Sequence, residues 1–145
     1  MLTELTVKGL LAETAGDAPV PGGGSISALN GAIAAALAEM VANLTIGKKK
    51  YADVQDEMAE IAKSAAALQK ELVLDVDRDS EAYDGVSQAF KLPKETDEEK
   101  AIRSAAIQEN TKKAALVPME VARRASALLP SIEAVVARGN QNAVT

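Results

Sequence analysis

The segment Pro19-Val-Pro-Gly-Gly-Gly-Ser25 runs directly into the Ala-rich apolar stretch 26–44. A stiff turn, three glycines and a serine cap ahead of a long helix leave that helix's first backbone N–H groups unsatisfied. With no Cβ on Gly22, Gly23 or Gly24, an anion can approach those groups at close range, and Ser25 adds a hydroxyl. The same residues also suit a plain interhelical turn. They lack the Gly-Lys-Ser/Thr ending of a phosphate-binding loop, and no strand precedes them.

Asp79 is the second chemical signal. It interrupts an apolar stripe where Leu or Val is expected, and a carboxylate taken out of water needs a partner or a function. Either the helix emerges from the core there and Asp79 is solvated or paired with a basic residue, or it acts on a ligand. Asp75, Asp77 and Asp79 do not form a calcium loop, because successive pairs on a helix point about 200° apart. Tyr83 lies one turn beyond Asp79 on the same face, as a core tyrosine or as a wall and proton donor for a ligand. Asn110 interrupts a later apolar stripe between Ala106 and Ala114, where it either fixes helix register or contacts a ligand. Lys48, Lys49 and Lys50, followed by Tyr51, read as a solvated helix end or as a site for carboxylates.

Composition removes many other chemistries. The 145 residues contain no Cys and no His, which excludes disulfides, the usual zinc sites and imidazole acid–base catalysis. Chemistry is left to carboxylates, Lys, Tyr, hydroxyls, amides and backbone dipoles. A net charge of −5 and the absence of a basic, aromatic-interleaved patch argue against nucleic acid. Glu39 interrupts the best apolar run, so no membrane span is expected, and no signal-peptide pattern opens the chain. A cytoplasmic protein is the expectation.

The positioning elements read as helices throughout. With only 2% aromatic residues, packing must rest on Ala, Leu, Ile, Val and Met, which suits closely approaching helices. Thr6 caps a short helix over 7–15 with Leu10 and Leu11 inward. In the next helix Ile26, Leu29, Ile33, Leu37, Met40 and Leu44 form one face, and Gly47 ends it. A third, longer helix carries Val54, Met58, Ile61, Ala65, Leu68 and Leu72, then Asp79, Tyr83, Val86 and Phe90, and stops at Leu92-Pro93. Thr96 with Glu99 forms a capping box for a fourth, with Ile102, Ala106, Ala114, Val117 and Val121 on one face. Pro118 is expected to kink or split it, and Pro130 to begin a fifth, short helix ending before Gly139. No segment alternates like a half-buried strand. The prediction is an all-α single domain over 1–145, a bundle of about five helices with long antiparallel members.

In order, Pro19-Val-Pro-Gly-Gly-Gly-Ser25, Thr45-Ile-Gly-Lys-Lys-Lys-Tyr51, Asp79-Ser-Glu-Ala-Tyr83, the segment from Leu92 to Lys100 with Arg103, Val117-Pro118 and Gly139-Asn-Gln-Asn142 cover the whole chain. This set resembles the formiminotransferase-cyclodeaminase C-terminal-type domain family, which includes stand-alone methenyltetrahydrofolate cyclohydrolases. The resemblance implies a helical homodimer acting on a folate without redox cofactor or metal. It implies either hydrolysis of methenyltetrahydrofolate to formyltetrahydrofolate or ring closure of formiminotetrahydrofolate with loss of ammonia. A non-catalytic helical assembly module is the competing reading. In the folate reading, Asp79 stabilises the amidinium and takes a proton from water, and Lys50 or Tyr83 returns one. The glutamate tail is expected to meet either Lys48, Lys49 and Lys50 or the helix start at Gly22, Gly23, Gly24 and Ser25, and the flat pterin to meet Tyr83, Asn110, Asn140 and Asn142. Tyr51 and Arg103 complete the expected substrate contacts. The family pattern continues with further helices after Gly-Asn-x-Asn, whereas this sequence stops at Thr145, so faces those helices would cover are expected to drive self-association.

Overall fold

The computed structural model describes residues 1–143. It contains four α-helices: α1 (Val7–Thr14), α2 (Gly23–Thr45), α3 (Gln55–Phe90) and α4 (Asp97–Arg138), with short 3-10 turns at Leu2–Glu4 and Lys49–Val54. Among the described residues there is no strand. The contacts fall into two units. One comprises Met1–Ala28 with Leu74–Val121, the other Leu29–Val73 with the chain from Ala122 onward. No linker in the sequence marks the division, because each boundary falls inside a continuous helix.

The caps behave as the sequence suggests. The Thr6 hydroxyl accepts from the Gly9 N–H at 3.1 Å, and Gly47 takes φ +77° just past the end of α2. Thr96 and Glu99 form the reciprocal box at the start of α4: the Glu99 N–H donates to the Thr96 hydroxyl, and the Glu99 carboxylate accepts from the Thr96 N–H. Leu11 departs from expectation, being 62% exposed.

In the first unit α3 and α4 are antiparallel: Arg103 reaches the Phe90 carbonyl, and Asn110 lies against Gly85. In the second unit α2 and α3 are antiparallel, with Leu72 against Gly31, and Met58 and Ile61 against Val41 and Ala42. Val135 joins that cluster, and Leu128 packs with Ala35, Ala38 and Ala65.

The expected split at Pro118 and the separate helix from Pro130 are not found. Pro118 and Pro130 lie inside one unbroken helix of 42 residues, so the fifth helix is the last part of α4. Each proline removes one ladder hydrogen bond, but Val121, Leu128 and Val135 recur every seventh residue and are all buried. Packing of that seam on both sides of Pro130 carries the helix through. Ile102 lies off the seam and is 58% exposed. On the open face of α4, Lys113 stands 2.7 Å from Glu109 and holds that carboxyl below its ordinary value, by its hydrogen bond first and its charge second.

The inward face of α2 is also corrected. Ser25, Ala28, Ala32, Ala35, Ala38, Ala42 and Thr45 are buried, whereas Ile33, Leu37, Met40 and Leu44 are exposed. Small residues let neighbouring backbones approach closely, and this face takes the interior for that reason. By length and composition α2 is long and apolar enough to cross a membrane, contrary to the sequence expectation, although the alanine face packs within the protein. Replacement of Ala35 by Leu is expected to lower stability by about 1–3 kcal/mol through overpacking. Urea unfolding measures it, and an unchanged midpoint would show that the alanine face is not core.

Candidate active site

The glycine corner and Asp79 meet within the first unit. Pro19, Val20, Gly22, Gly23, Gly24, Asp79, Tyr83 and Ala114 line a cavity of about 200 Å³. Gly23 and Gly24 form the first turn of α2, so the positive end of that helix's dipole faces this space. The anion found there is the protein's own. A Cβ on Gly24 would collide with the Asp79 carboxylate, so the missing side chain makes the seat that Asp79 occupies.

Asp79 is half-buried. Its Oδ2 lies 3.1 Å from the hydroxyl oxygen of Ser25, a residue with no exposure at all. Among the described residues no basic side chain forms an ion pair with Asp79. Of the two structural alternatives, pairing with Lys or Arg is not found, while the half-buried carboxylate keeps part of its surface in solvent. Tyr83, one turn on, is 43% exposed and lines the same cavity. An occupant meets a carboxylate that lacks a cationic partner, a tyrosine and bare backbone. That set suits a cation with polar hydrogens better than a carboxylate.

The neighbouring aspartates do different work. Asp77 is buried and accepts hydrogen bonds from the Leu2 N–H and the Thr3 hydroxyl, anchoring the first turn of the chain. Asp75 is buried and accepts from Arg78 at 2.9 Å. Sequence reasoning missed both roles. Asp77 has its partners 74 and 75 positions away, and nothing local signals them. A second cavity in this unit, about 400 Å³, is lined in part by Glu13, Asp77, Ser80, Glu81 and Asp84.

Two further candidates in this unit are engaged in holding helices. The Arg103 guanidinium donates to the Phe90 carbonyl at 3.2 Å and lies 5.4 Å from the centre of the Phe90 ring, closing the end of α3. Asn110 donates to its own helix at the Ala106 carbonyl, 2.8 Å away. Its Oδ1 fills a notch at Gly85, where a Cβ would come within 2.7 Å. Gly85 thus sets the register between α3 and α4 at Asn110.

The remaining candidates belong to the second unit. Lys48, Lys49 and Lys50 are exposed after α2, with the Lys50 ammonium 5.4 Å from the centre of the Tyr51 ring. The Tyr51 hydroxyl accepts from the Gln141 N–H at 3.1 Å. The Asn140 N–H donates to the Thr45 hydroxyl, and its side-chain amide donates to the Leu44 carbonyl at 3.0 Å, satisfying the open end of α2. The Asn142 N–H donates to the Asn140 side chain. Gly139-Asn-Gln-Asn142 thus folds as a clasp on α2.

Fold and site define an all-helical chain in which a half-buried carboxylate lines a small cavity at the start of a helix. The chain belongs to the formiminotransferase-cyclodeaminase family, whose profile matches residues 6–145. It is 42% identical to a methenyltetrahydrofolate cyclohydrolase of Methylorubrum extorquens over 97% of this chain and 67% of that protein. It is 33% identical to the formimidoyltransferase-cyclodeaminase of Mus musculus over 96% of this chain and 26% of that protein. The crystal structure of a Thermotoga maritima formiminotetrahydrofolate cyclodeaminase superposes with a TM-score of 0.83 at 35% identity, over 99% of this chain and 67% of that one. The chain thus spans about two thirds of the single-function relatives and about a quarter of the mouse protein.

Because Asn140 caps α2, Asn140→Ala is expected to lower stability by about 0.5–1.5 kcal/mol, the worth of a net hydrogen bond. The urea midpoint reports it; an unmoved midpoint would return Asn140 to the list of ligand contacts.

Proposed function

We propose that this chain is a folate one-carbon enzyme that hydrolyses methenyltetrahydrofolate to formyltetrahydrofolate. The observation that carries the reading is Asp79: a half-buried carboxylate facing a cavity, held by a neutral hydroxyl and lacking a basic ion-pair partner among the described residues. The one-carbon bridge of methenyltetrahydrofolate is an amidinium cation, the charge that such a site lacks. The names and identities of the relatives support the substrate class.

In this reading Asp79 stabilises the amidinium and takes a proton from water as the water oxygen bonds to the bridge carbon. The adduct then breaks one carbon–nitrogen bond. The Tyr83 hydroxyl gives its proton to the departing nitrogen and is restored by the proton lost as the carbonyl forms. One proton, that on Asp79, is released per turnover. No oxidation state changes, so the reading includes no redox cofactor, and it uses no metal. A cavity of about 200 Å³ is below the range for a drug-sized ligand, so it takes the one-carbon end of the folate and leaves the rest outside.

The Thermotoga maritima neighbour favours a second reading at the same centre, cyclodeamination, in which ammonia leaves instead. The decisive assay follows the loss of methenyltetrahydrofolate absorbance, corrected for spontaneous hydrolysis. Asp79→Asn is expected to reduce the rate by about 10²–10⁴-fold with the fold retained. Wild-type turnover in that variant would sink the role of Asp79. No acceleration by the wild type, with ammonia released from formiminotetrahydrofolate, would establish the second reading.

The active form proposed here is a homodimer. In the second unit, the exposed Leu37, Met40 and Val136 belong to an apolar groove of about 350 Å³ together with Ala34, Ala38 and Ile132. Large apolar residues repeating along one helix are costly to leave in water. Sedimentation velocity is expected to show a dimer for the wild type and a monomer for Leu37→Glu. A monomeric wild type would contradict the proposal.

A further inference from the structure

We propose that Ser25 is a positioning residue that holds Asp79 in its working orientation, an inference that rests on the role given to Asp79 above. As part of the helix start, Ser25 reads from the sequence as a substrate contact. Its complete burial rules that out, because no ligand in the cavity can reach its hydroxyl.

The Ser25 hydroxyl lies 2.8 Å from the Val76 carbonyl and 3.1 Å from Asp79 Oδ2. It has one proton and two acceptors. Val76 lies well inside α3, so its carbonyl already accepts the N–H four residues on and does not depend on Ser25. Asp79 has no comparable alternative: Ser25 is the one hydrogen-bond donor it meets among the described residues. Gly24 completes the seat from the neighbouring position, since its missing Cβ lets the carboxylate settle onto the first turn of α2. Oδ2 is placed by a hydroxyl, and the space at Gly24 leaves room for the whole carboxylate. The sides not so held are left for the cavity, so the serine sets where the charge and the proton acceptor stand relative to the one-carbon bridge.

Ser25→Ala tests this with little cost to folding. Ala is a good helix former, and removing the hydroxyl leaves the Val76 carbonyl in its ladder. In the methenyltetrahydrofolate assay with the full chain, kcat is expected to fall about tenfold while KM stays within about twofold. In an Asp79→Asn background the same substitution is expected to change nothing further, because the serine acts through that carboxylate. Thermal melting of each variant confirms that it folds. Should Ser25→Ala lose its cooperative melt, Ser25→Cys, which keeps the volume with a far weaker donor, carries the same expectation. Wild-type kcat in Ser25→Ala alongside an inactive Asp79→Asn would overturn the serine's role and leave that of Asp79 standing. A loss that adds in full to that of Asp79→Asn would also overturn it, by showing a merely structural effect. Wild-type turnover in Asp79→Asn would remove both.

Discussion

The close approach allowed by the small-residue face of α2 is the constraint on which the rest depends. From Ser25 through Ala28, Ala32, Ala35, Ala38 and Ala42 to Thr45, each inward position carries a side chain of one to three heavy atoms. A helix with such a face can sit nearer its neighbours than a leucine-lined one. At its N-terminal end, that nearness lets Gly24 and Ser25 touch a carboxylate on α3. Larger residues there would hold α3 away, and Asp79 would stand in solvent without a seat.

The same choice accounts for the groove in the second unit. Once alanines take the interior, the large residues of α2 are turned outward, where Leu37 and Met40 line a groove with Ile132 and Val136 of α4. The hydrophobic content of the helix is thus divided between close packing inside and an apolar surface outside. The latter gains free energy only when covered. The seat of Asp79 and the exposed apolar groove trace to one helix with two apolar faces of different size.

Two polar side chains of the first unit are accommodated by notches in a neighbouring helix. Asp79 sits at Gly24 and Asn110 at Gly85, each where a Cβ would collide. Asp77 is held by a backbone N–H and a hydroxyl, and Thr45 links the end of α2 to Asn140. Such contacts are short-ranged and directional, so they fix orientation more tightly than a screened surface ion pair does.

Much was legible in the residues themselves. The absence of His and Cys limited the chemistry, three-four spacing marked the helices, and Thr6, Gly47 and the Thr96–Glu99 pair marked their ends, because those signals act within a few residues. Asp79 and Tyr83 stood out as exceptions on a stripe, and the structure places them at one cavity with the glycine corner. Other features required the folded chain. Both faces of α2 repeat at helical spacing, so periodicity could not say whether alanines or leucines turn inward; the separation of neighbouring helices decided that. Pro118 and Pro130 do not end a helix as their local chemistry suggests, and around Pro130 the buried Leu128 and Val135 hold the helix on both sides. The partners of Asp77, Ser25 and Asn140 lie between about 50 and 100 residues away, and only tertiary packing brings such groups within hydrogen-bonding distance.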